Sequence, residues 1–189
     1  MYTYFVKPLL DFFVSILALI ILSPIFIIVL IFLIVNNRGR PFFIQKRPGK
    51  NEKIFEVIKF KTMNDKRGTN GKLLPDAKRL TKVGAFIRKT SLDEIPQLIN
   101  VLKGNMSLVG PRPGLFNQIE LTQVRDEKGV FKVRPGLTGL AQVQGIDMST
   151  PEQLAETDAE MIAKLTIRIY FQLIVATVFG HGQGDAAAK

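Results

Sequence analysis

The sequence FFVSILALIILSPIFIIVLIFLIV, residues 12–35, decides the architecture of this chain. It contains no charged residue in 24 positions. As an α-helix it would be ~36 Å long, which exceeds the ~30 Å hydrocarbon core of a bilayer. No small-residue cleavage pattern follows it, so it does not match a removable signal peptide, and helices of soluble cores rarely run this long without a charge. The run therefore predicts a membrane segment.

Ser23 and Pro24 interrupt this run close to its middle. Proline removes a backbone donor and clashes with the preceding turn, so we expect a kink or a break, with the Ser23 hydroxyl satisfying a freed carbonyl. Two topologies follow, a kinked single span or a re-entrant helix-break-helix with both ends on one side of the membrane. Basic residues flank both ends, which favours two cytoplasmic ends. The residues alone leave the two topologies about equal.

Positive charge is concentrated directly after the apolar run. The 189-residue chain has a net charge of +10, and residues 36–113 contain 18 Lys and Arg against 6 Asp and Glu. Such a stretch favours anionic lipid head groups, at about 1 kcal/mol per basic residue, with nucleic acid as the competing partner. There is no Cys, and the single His, His181, lies in a Gly-rich tail. Acid–base or nucleophilic chemistry would then fall to Asp, Glu, Lys or Tyr.

The rest of the sequence predicts one α+β domain that is mostly helical. Residues 41–49 and 53–61 are typical of the two strands of a small β-hairpin. Residues 133–140 are punctuated by Gly and Pro and predict a loop. Helices are expected over residues 76–90, 91–102 and 150–178, the last with an apolar second half that is interfacial rather than spanning.

Two adjacent carboxylates, Asp93 and Glu94, lie in the most basic part of the chain. Ser91 and Glu94 match the S-x-x-E capping box, so we expect Asp93 in the first turn of a helix, where the macrodipole favours an ionised carboxylate. An ionised Asp can act as a nucleophile on phosphorus or as a Mg²⁺ ligand. The nearby Arg88 and Arg112 suit phosphate oxygens, because a guanidinium offers two parallel donors.

Less specific interpretations stay open at this point. Adjacent acids are more often helix caps than catalysts, and a lone Arg is usually solvated. A non-catalytic basic membrane protein and a nucleic-acid-binding protein both fit the charge, although the basic stretch lacks the interleaved aromatic residues of nucleic-acid binders. The residues alone indicate a membrane-bound protein that handles an anionic ligand bearing phosphate.

Longer motifs connect the chain to a known family. They are FIQKRPG at residues 43–49, KFKTM at 59–63, RKTSLDEIPQL at 88–98, NVLKGNMSLVGPRP at 100–113 and RPGLTG at 134–139. With these motifs the chain resembles the bacterial sugar transferases, which are monotopic polyprenyl-phosphate phosphoglycosyl transferases, over nearly its whole length to about Val178. Within the family it is most similar to the minimal transferases that start bacterial protein glycosylation at the membrane.

The resemblance implies an enzyme with a ping-pong reaction. Asp93 would attack the β-phosphate of a UDP-sugar, such as UDP-diacetylbacillosamine or a related N-acetylated sugar, and release UMP. Undecaprenyl phosphate would then accept the phosphosugar and start lipid-linked glycan assembly. The family needs Mg²⁺, which Asp93 and Glu94 would hold, and Lys59, Arg88 and Arg112 match active-site positions that would bind substrate phosphates. Direct transfer in a ternary complex, with Asp93 as general base, is the alternative mechanism.

The resemblance also implies a location. The protein would be monotopic on the cytoplasmic face of the bacterial inner membrane, with the break at Ser23 and Pro24 making residues 1–36 a re-entrant helix. Residues 37–180 would form the cytoplasmic catalytic domain on the membrane surface, and residues 181–189 a flexible tail. The expected partners are a UDP-sugar, undecaprenyl phosphate and membrane phospholipids, without nucleic acid.

Two residues depart from the family pattern. Many relatives have Trp where this chain has Leu140, and an aromatic residue near Met161. Both positions fall in the more variable half of the domain, so the resemblance does not fix the sugar. The sequence likewise leaves the acceptor chain length, the oligomeric state and the exact Mg²⁺ ligands open.

Overall fold

The structure, a computed structural model, describes residues 5–180 and confirms the predicted α+β class. The predicted tail at residues 181–189, with His181, lies outside the described residues. The helices are α1 (Lys7–Asn36), α2 (Asp76–Arg79), α3 (Lys82–Lys89), α4 (Gln97–Leu102), α5 (Ile119–Glu127), α6 (Leu140–Val143), α7 (Pro151–Lys164) and α8 (Ile167–Val178). The strands are β1 (Phe42–Pro48), β2 (Ile54–Phe60), β3 (Ser107–Val109) and β4 (Gly136–Thr138).

Helix α1 is continuous through Pro24, so residues 7–36 form one helix and not two, while the predicted re-entrant topology at Ser23 and Pro24 stays a prediction. The carbonyl of Ile20 is the acceptor that an N–H at position 24 would normally serve. The Ser23 hydroxyl donates to that carbonyl instead, at 2.7 Å, as the sequence predicted. Within the described residues, α1 is the one helix long and apolar enough to cross a membrane by length and composition.

Asp11 ties the N-terminal end of α1 to the rest of the molecule. Its carboxylate accepts hydrogen bonds from Lys7 Nζ at 3.2 Å and from the Ser107 hydroxyl at 2.7 Å. It also accepts from the backbone N–H of Leu108 at 3.1 Å and from the Tyr170 hydroxyl at 2.9 Å. A buried carboxylate is stable only with such donors. We call these five residues the Asp11 junction, which joins α1, β3 and α8.

The C-terminal end of α1 packs against the same domain. Val29 and Leu33 are buried together with Phe60 of β2 and Ile87 of α3. The Asn37 side chain then donates to the carbonyl of Lys61 at 2.7 Å. One face of this 30-residue helix is therefore held at both ends by one domain, while its opposite face exposes large apolar side chains.

The predicted hairpin is confirmed. Strands β1 and β2 pair antiparallel, from Phe42 opposite Phe60 to Pro48 opposite Ile54. Asn100 of α4 closes the outer edge of β2, because its side chain accepts from the Ile58 N–H at 3.0 Å and donates to the Glu56 carbonyl at 2.7 Å. This pairing fixes α4, and the turn that precedes it, against the hairpin.

The two longest helices predicted after the apolar run are each divided into two shorter ones. Thr81 separates α2 from α3, since its hydroxyl accepts from the Gly84 N–H at 2.9 Å and so starts a new helix. Thr166 does the same between α7 and α8, accepting from the Ile169 N–H at 3.3 Å. Both are helix N-caps within stretches whose apolar spacing favours continuous helix.

The segment predicted as a loop at residues 133–140 contains strand β4, which pairs parallel with β3. The two strands meet where Gly110 and Gly136 lie backbone to backbone. A Cβ at Gly136 would lie 2.1 Å from the Gly110 nitrogen, so a side chain there cannot fit. This close approach sets the position of the turn at residues 110–113, which carries Arg112.

Candidate active site

A cavity of ≈ 710 Å³ opens between the hairpin, the turn before α4 and the helices α2, α3, α6 and α7. Four of the five predicted site residues line it, namely Lys59, Arg88, Asp93 and Arg112. Glu94 is not among the residues that line the cavity, but it forms ion pairs with two that are, Arg112 and Lys59. Ser23 and Pro24, the predicted membrane break, are not among the residues that line the cavity.

Asp93 lies in a 3₁₀ turn, Leu92–Glu94, and not in the first turn of an α-helix. The predicted capping box is wrong, because Ser91 takes the left-handed conformation (φ 53°) and its side chain makes no cap hydrogen bond. Helix α4 begins only at Gln97, after Pro96. Asp93 is nevertheless 93% buried and lines the cavity together with Lys59, Arg88 and Arg112.

Glu94 brings two of the predicted phosphate-binding cations together. Lys59 Nζ donates to Glu94 Oε1 at 3.1 Å. Arg112 donates to both carboxylate oxygens, with Nη1 3.3 Å from Oε2 and Nη2 against Oε1. All three side chains are largely buried. Buried charges need such pairing, and the fork geometry fixes the orientation of the Arg112 guanidinium. The geometry therefore makes Glu94 an anchor for two cations, and its role as a metal ligand stays a prediction.

Arg88 has an unsatisfied donor at the cavity wall. Its Nε donates to the Thr62 hydroxyl at 2.9 Å, which fixes the side chain. Its Nη1 is buried and has no hydrogen-bond partner within residues 5–180. A buried donor without an acceptor costs about 1–3 kcal/mol, so an oxygen-rich anion at this position would be stabilised.

Two arginines that the sequence analysis did not single out hold the turn that carries Arg112. Arg47 Nη1 donates to the Pro113 carbonyl at 3.2 Å, and Arg125 Nη1 donates to the Arg112 carbonyl at 2.8 Å. Arg125 is itself paired with Asp158, 2.6 Å away, and both side chains are almost fully buried. Burial raises the pKa of the Asp158 carboxyl, and the Arg125 guanidinium opposes that shift.

No single-sequence signal identifies Arg125, because its partner lies 33 residues away on another helix. Arg47 had a signal, since it belongs to the FIQKRPG motif at residues 43–49.

The predicted Mg²⁺ would need oxygen ligands in the cavity. Within residues 5–180 no group of three or more His, Cys, Asp or Glu residues is arranged to hold a metal. Mg²⁺ commonly takes only one or two carboxylates, with substrate phosphate oxygens and water completing the shell. The Asp93 carboxylate on the cavity wall fits that pattern.

Leu140 and Met161, the two departures from the family pattern, lie together. The Leu140 N–H donates to the Met161 sulfur at 3.2 Å, and Met161 is buried. Neither side chain lines the cavity, but the next residues after Leu140, Ala141 and Gln142, do so. The departures therefore affect the packing beneath one wall of the cavity.

Comparison with known proteins gives consistent similarities. A family described as "Bacterial sugar transferase" matches residues 2–183. The uncharacterised sugar transferase EpsL of Bacillus subtilis is 44% identical over 74% of this chain and 69% of its own length. The UDP-glucose:undecaprenyl-phosphate glucose-1-phosphate transferase of Klebsiella pneumoniae is 38% identical over 92% of this chain and 39% of its own length. The galactosyl transferase CpsE of Streptococcus agalactiae is 37% identical over 80% of this chain and 37% of its own length.

The chain thus spans about two thirds of EpsL but less than two fifths of the two longer transferases. The predicted likeness to the protein-glycosylation transferase PglC is not among these similarities and stays a prediction.

Proposed function

This chain belongs to the bacterial sugar transferase family, and from that membership we propose that it transfers a sugar 1-phosphate from a UDP-sugar to undecaprenyl phosphate and releases UMP. The printed name of the Klebsiella relative describes such a transfer with glucose. The observation that carries the proposal is one buried carboxylate, Asp93, on the wall of a cavity lined by Lys59, Arg88 and Arg112. A diphosphate brings the anionic oxygens that such cations stabilise.

We propose a covalent mechanism in two displacements. A carboxylate oxygen of Asp93 attacks the β-phosphorus of the UDP-sugar, and the bond from that phosphorus to the oxygen of UMP breaks. The resulting aspartyl phosphosugar is then attacked by a phosphate oxygen of undecaprenyl phosphate. That step breaks the bond to Asp93, restores its carboxylate and forms the sugar–diphospho-lipid. Splitting the transfer in this way lets the soluble and the lipid substrate occupy the cavity in turn.

The cations stabilise charge that develops on the phosphorus oxygens. Arg88 supplies its unsatisfied Nη1 donor, and Arg112 is held rigid by Glu94 and Arg125. Donors fixed in advance lower the barrier, because they need no reorganisation during the reaction. Mg²⁺, held by Asp93 and substrate phosphates with Glu94 as a further candidate, would neutralise phosphate charge when bound.

The decisive experiment measures UMP release by purified protein with Mg²⁺, undecaprenyl phosphate and a panel of UDP-sugars. The panel contains UDP-glucose and UDP-galactose, after the names of the relatives, and UDP-N-acetylglucosamine and UDP-diacetylbacillosamine, after the predicted link to protein glycosylation. We expect release of UMP with at least one of them. Protein that binds membranes but releases no UMP from any sugar would support a non-catalytic membrane protein instead.

Arg88→Lys should lower UMP release at least tenfold, equivalent to ~1.4 kcal/mol in the barrier, because Lys keeps the charge but loses the planar fork. The melting temperature should stay within a few degrees of the wild type. Lys89→Arg, an exposed neighbour that does not line the cavity, is the matched control and should retain full activity. Early melting of Arg88→Lys with normal turnover per folded molecule would assign Arg88 a structural role.

We further propose that the protein is monotopic on the cytoplasmic face of the bacterial inner membrane. The contacts of α1 support the monotopic arrangement, and the basic residues that flank both ends of the helix support the cytoplasmic face. A helix that crossed the bilayer would carry one end away from the domain, yet the Asp11 junction and the Val29–Leu33 contacts bind both ends of α1 to it. The exposed apolar face of α1 would then be embedded in the lipid from one side.

Cysteine labelling tests this topology, since the chain has no cysteine of its own. Phe5→Cys and Arg40→Cys place thiols at exposed positions just beyond the two ends of α1. A membrane-impermeant maleimide should label neither variant in intact spheroplasts and both after permeabilisation. Labelling of one variant alone in intact spheroplasts would show that α1 spans the membrane.

A further inference from the structure

Strand β1 places three residues that differ in exposure and polarity along the cavity wall. Its alternate residues Phe43, Gln45 and Arg47 all line the cavity wall, as the two-residue period of a strand requires. Phe43 at the mouth is 46% exposed, whereas Arg47 is 6% exposed. Between Phe43 and Arg47, the lining of the cavity therefore changes from an exposed apolar ring to a buried cation within five residues.

Phe43 lies directly beside the phosphate-binding cations. Its cross-strand partner in the hairpin is Lys59, and opposite residues in an antiparallel pair have Cβ atoms about 4.5–5.5 Å apart. Lys59 donates to Glu94, the neighbour of Asp93. An apolar ring and a phosphate-binding ammonium group thus stand side by side at the cavity mouth. That arrangement complements a ligand whose phosphate is attached directly to an apolar chain.

Aromatic contacts connect this mouth to the membrane helix. The Phe60 ring lines the cavity and stacks on Phe42, with centroids 5.6 Å apart and an angle of 11° between the planes. Phe60 also contacts Phe26 of α1, with centroids 5.0 Å apart. Phe42 and Ile44, on the other face of β1 from Phe43, are exposed as well. Phe60 therefore links the cavity wall to α1 through buried ring contacts, and Phe42 and Ile44 add exposed apolar surface on the other face of the same strand.

We propose that Phe43, at the exposed start of β1, binds the first apolar units of the lipid acceptor and so directs its phosphate to the Lys59 side of the cavity. The proposal rests on the proposed function and adds the acceptor's route into the site. A UDP-sugar arrives from water and has no hydrocarbon chain, so an exposed phenyl ring whose strand neighbour Phe42 packs near Phe26 of α1 matches the lipid substrate better. The competing occupant is the uracil ring, which would stack on the same phenyl.

The test measures the two half-reactions of the Phe43→Ser variant separately, with the protein in lipid nanodiscs. Phe43→Ser should raise the KM for undecaprenyl phosphate at least tenfold. The burst of UMP from UDP-sugar without lipid should stay unchanged, because that half-reaction does not use the ring. Phe43→Leu keeps an apolar side chain and should stay within about threefold of the wild type. Ile54→Ser changes a similarly exposed residue at the opposite end of the hairpin and is the control without effect.

A reduced UMP burst in Phe43→Ser would assign the ring to the nucleobase and overturn the proposal, as would an unchanged KM for the lipid. Binding is also measured without catalysis. Undecaprenyl phosphate alone should raise the melting temperature of the wild type, and this shift should shrink in Phe43→Ser. A wild type that binds the lipid but never releases UMP would contradict the proposed function, while the melting shift of the variant would still decide the role of Phe43.

Discussion

Replacing Asp93 by Asn is expected to abolish transfer, lowering UMP formation at least a thousandfold, or ~4 kcal/mol in the barrier. Asn has nearly the same size but offers no anionic oxygen to the phosphorus, so no aspartyl phosphosugar can form. The fold should survive, because the preceding turn is set by Ser91 and the following helix by the contacts of Asn100 with β2. Wild-type protein with UDP-sugar and Mg²⁺ but no lipid should carry a phosphosugar on the peptide that contains Asp93, as seen by mass spectrometry.

Asp65→Asn is the matched control for this experiment. Asp65 also lines the cavity, but its side chain is exposed and paired with Lys61, so its loss should change activity less than threefold. An adduct on another residue would contradict the role of Asp93. No adduct under rapid quench, with normal turnover, would favour direct transfer with Asp93 as general base; UMP would then appear only after the lipid is added.

The second large effect is expected on stability. Asp158→Asn removes the partner of Arg125, 2.6 Å away, and leaves a buried guanidinium without a counter-charge. Breaking one side of a buried ion pair typically costs about 3–5 kcal/mol. For a chain of this size that corresponds to a fall in melting temperature of roughly 6–20 °C. Activity per folded molecule should also fall, because Arg125 holds the carbonyl of Arg112.

Glu160→Gln breaks an ion pair on the same helix, α7, but this pair with Lys164 is exposed. Exposed pairs contribute about 0.2–1 kcal/mol, so the control variant should melt close to the wild type. The double variant Arg125→Met with Asp158→Leu removes both buried charges and should recover part of the lost stability. Equal melting temperatures for Asp158→Asn and Glu160→Gln would show that the buried pair does not stabilise the fold.

Local patterns were sufficient to predict the hairpin and the long apolar helix. Alternation along residues 53–61 and the uncharged run at residues 12–35 are signals confined to short windows. The divided helices were missed because Thr81 and Thr166 act as caps only where the chain turns. The parallel pair of β3 and β4 was missed because each strand has three residues and its partner lies almost 30 residues away.

The candidate site residues were predicted from family motifs and not from local patterns of secondary structure. Lys59, Arg88, Asp93 and Arg112 fall in motifs of the family, and the structure brings them to one cavity. The geometry adds what the motifs did not indicate, namely that Glu94 carries two cations and that Arg47 and Arg125 hold the turn at Arg112. Such contacts depend on tertiary packing between distant segments, which a single sequence does not encode in any local pattern.

The Asp11 junction can form only late in the synthesis of the chain. Asp11 leaves the ribosome early, but its partners Ser107 and Tyr170 follow 96 and 159 residues later. At about 5–20 residues per second, the ribosome needs roughly 8–32 s to add the last of them. During this interval the Asp11 carboxylate lacks these two donors. Docking of α1 on the rest of the domain is therefore a late event that requires α8. In nascent chains that end before Tyr170, we expect α1 to be only loosely attached to the domain.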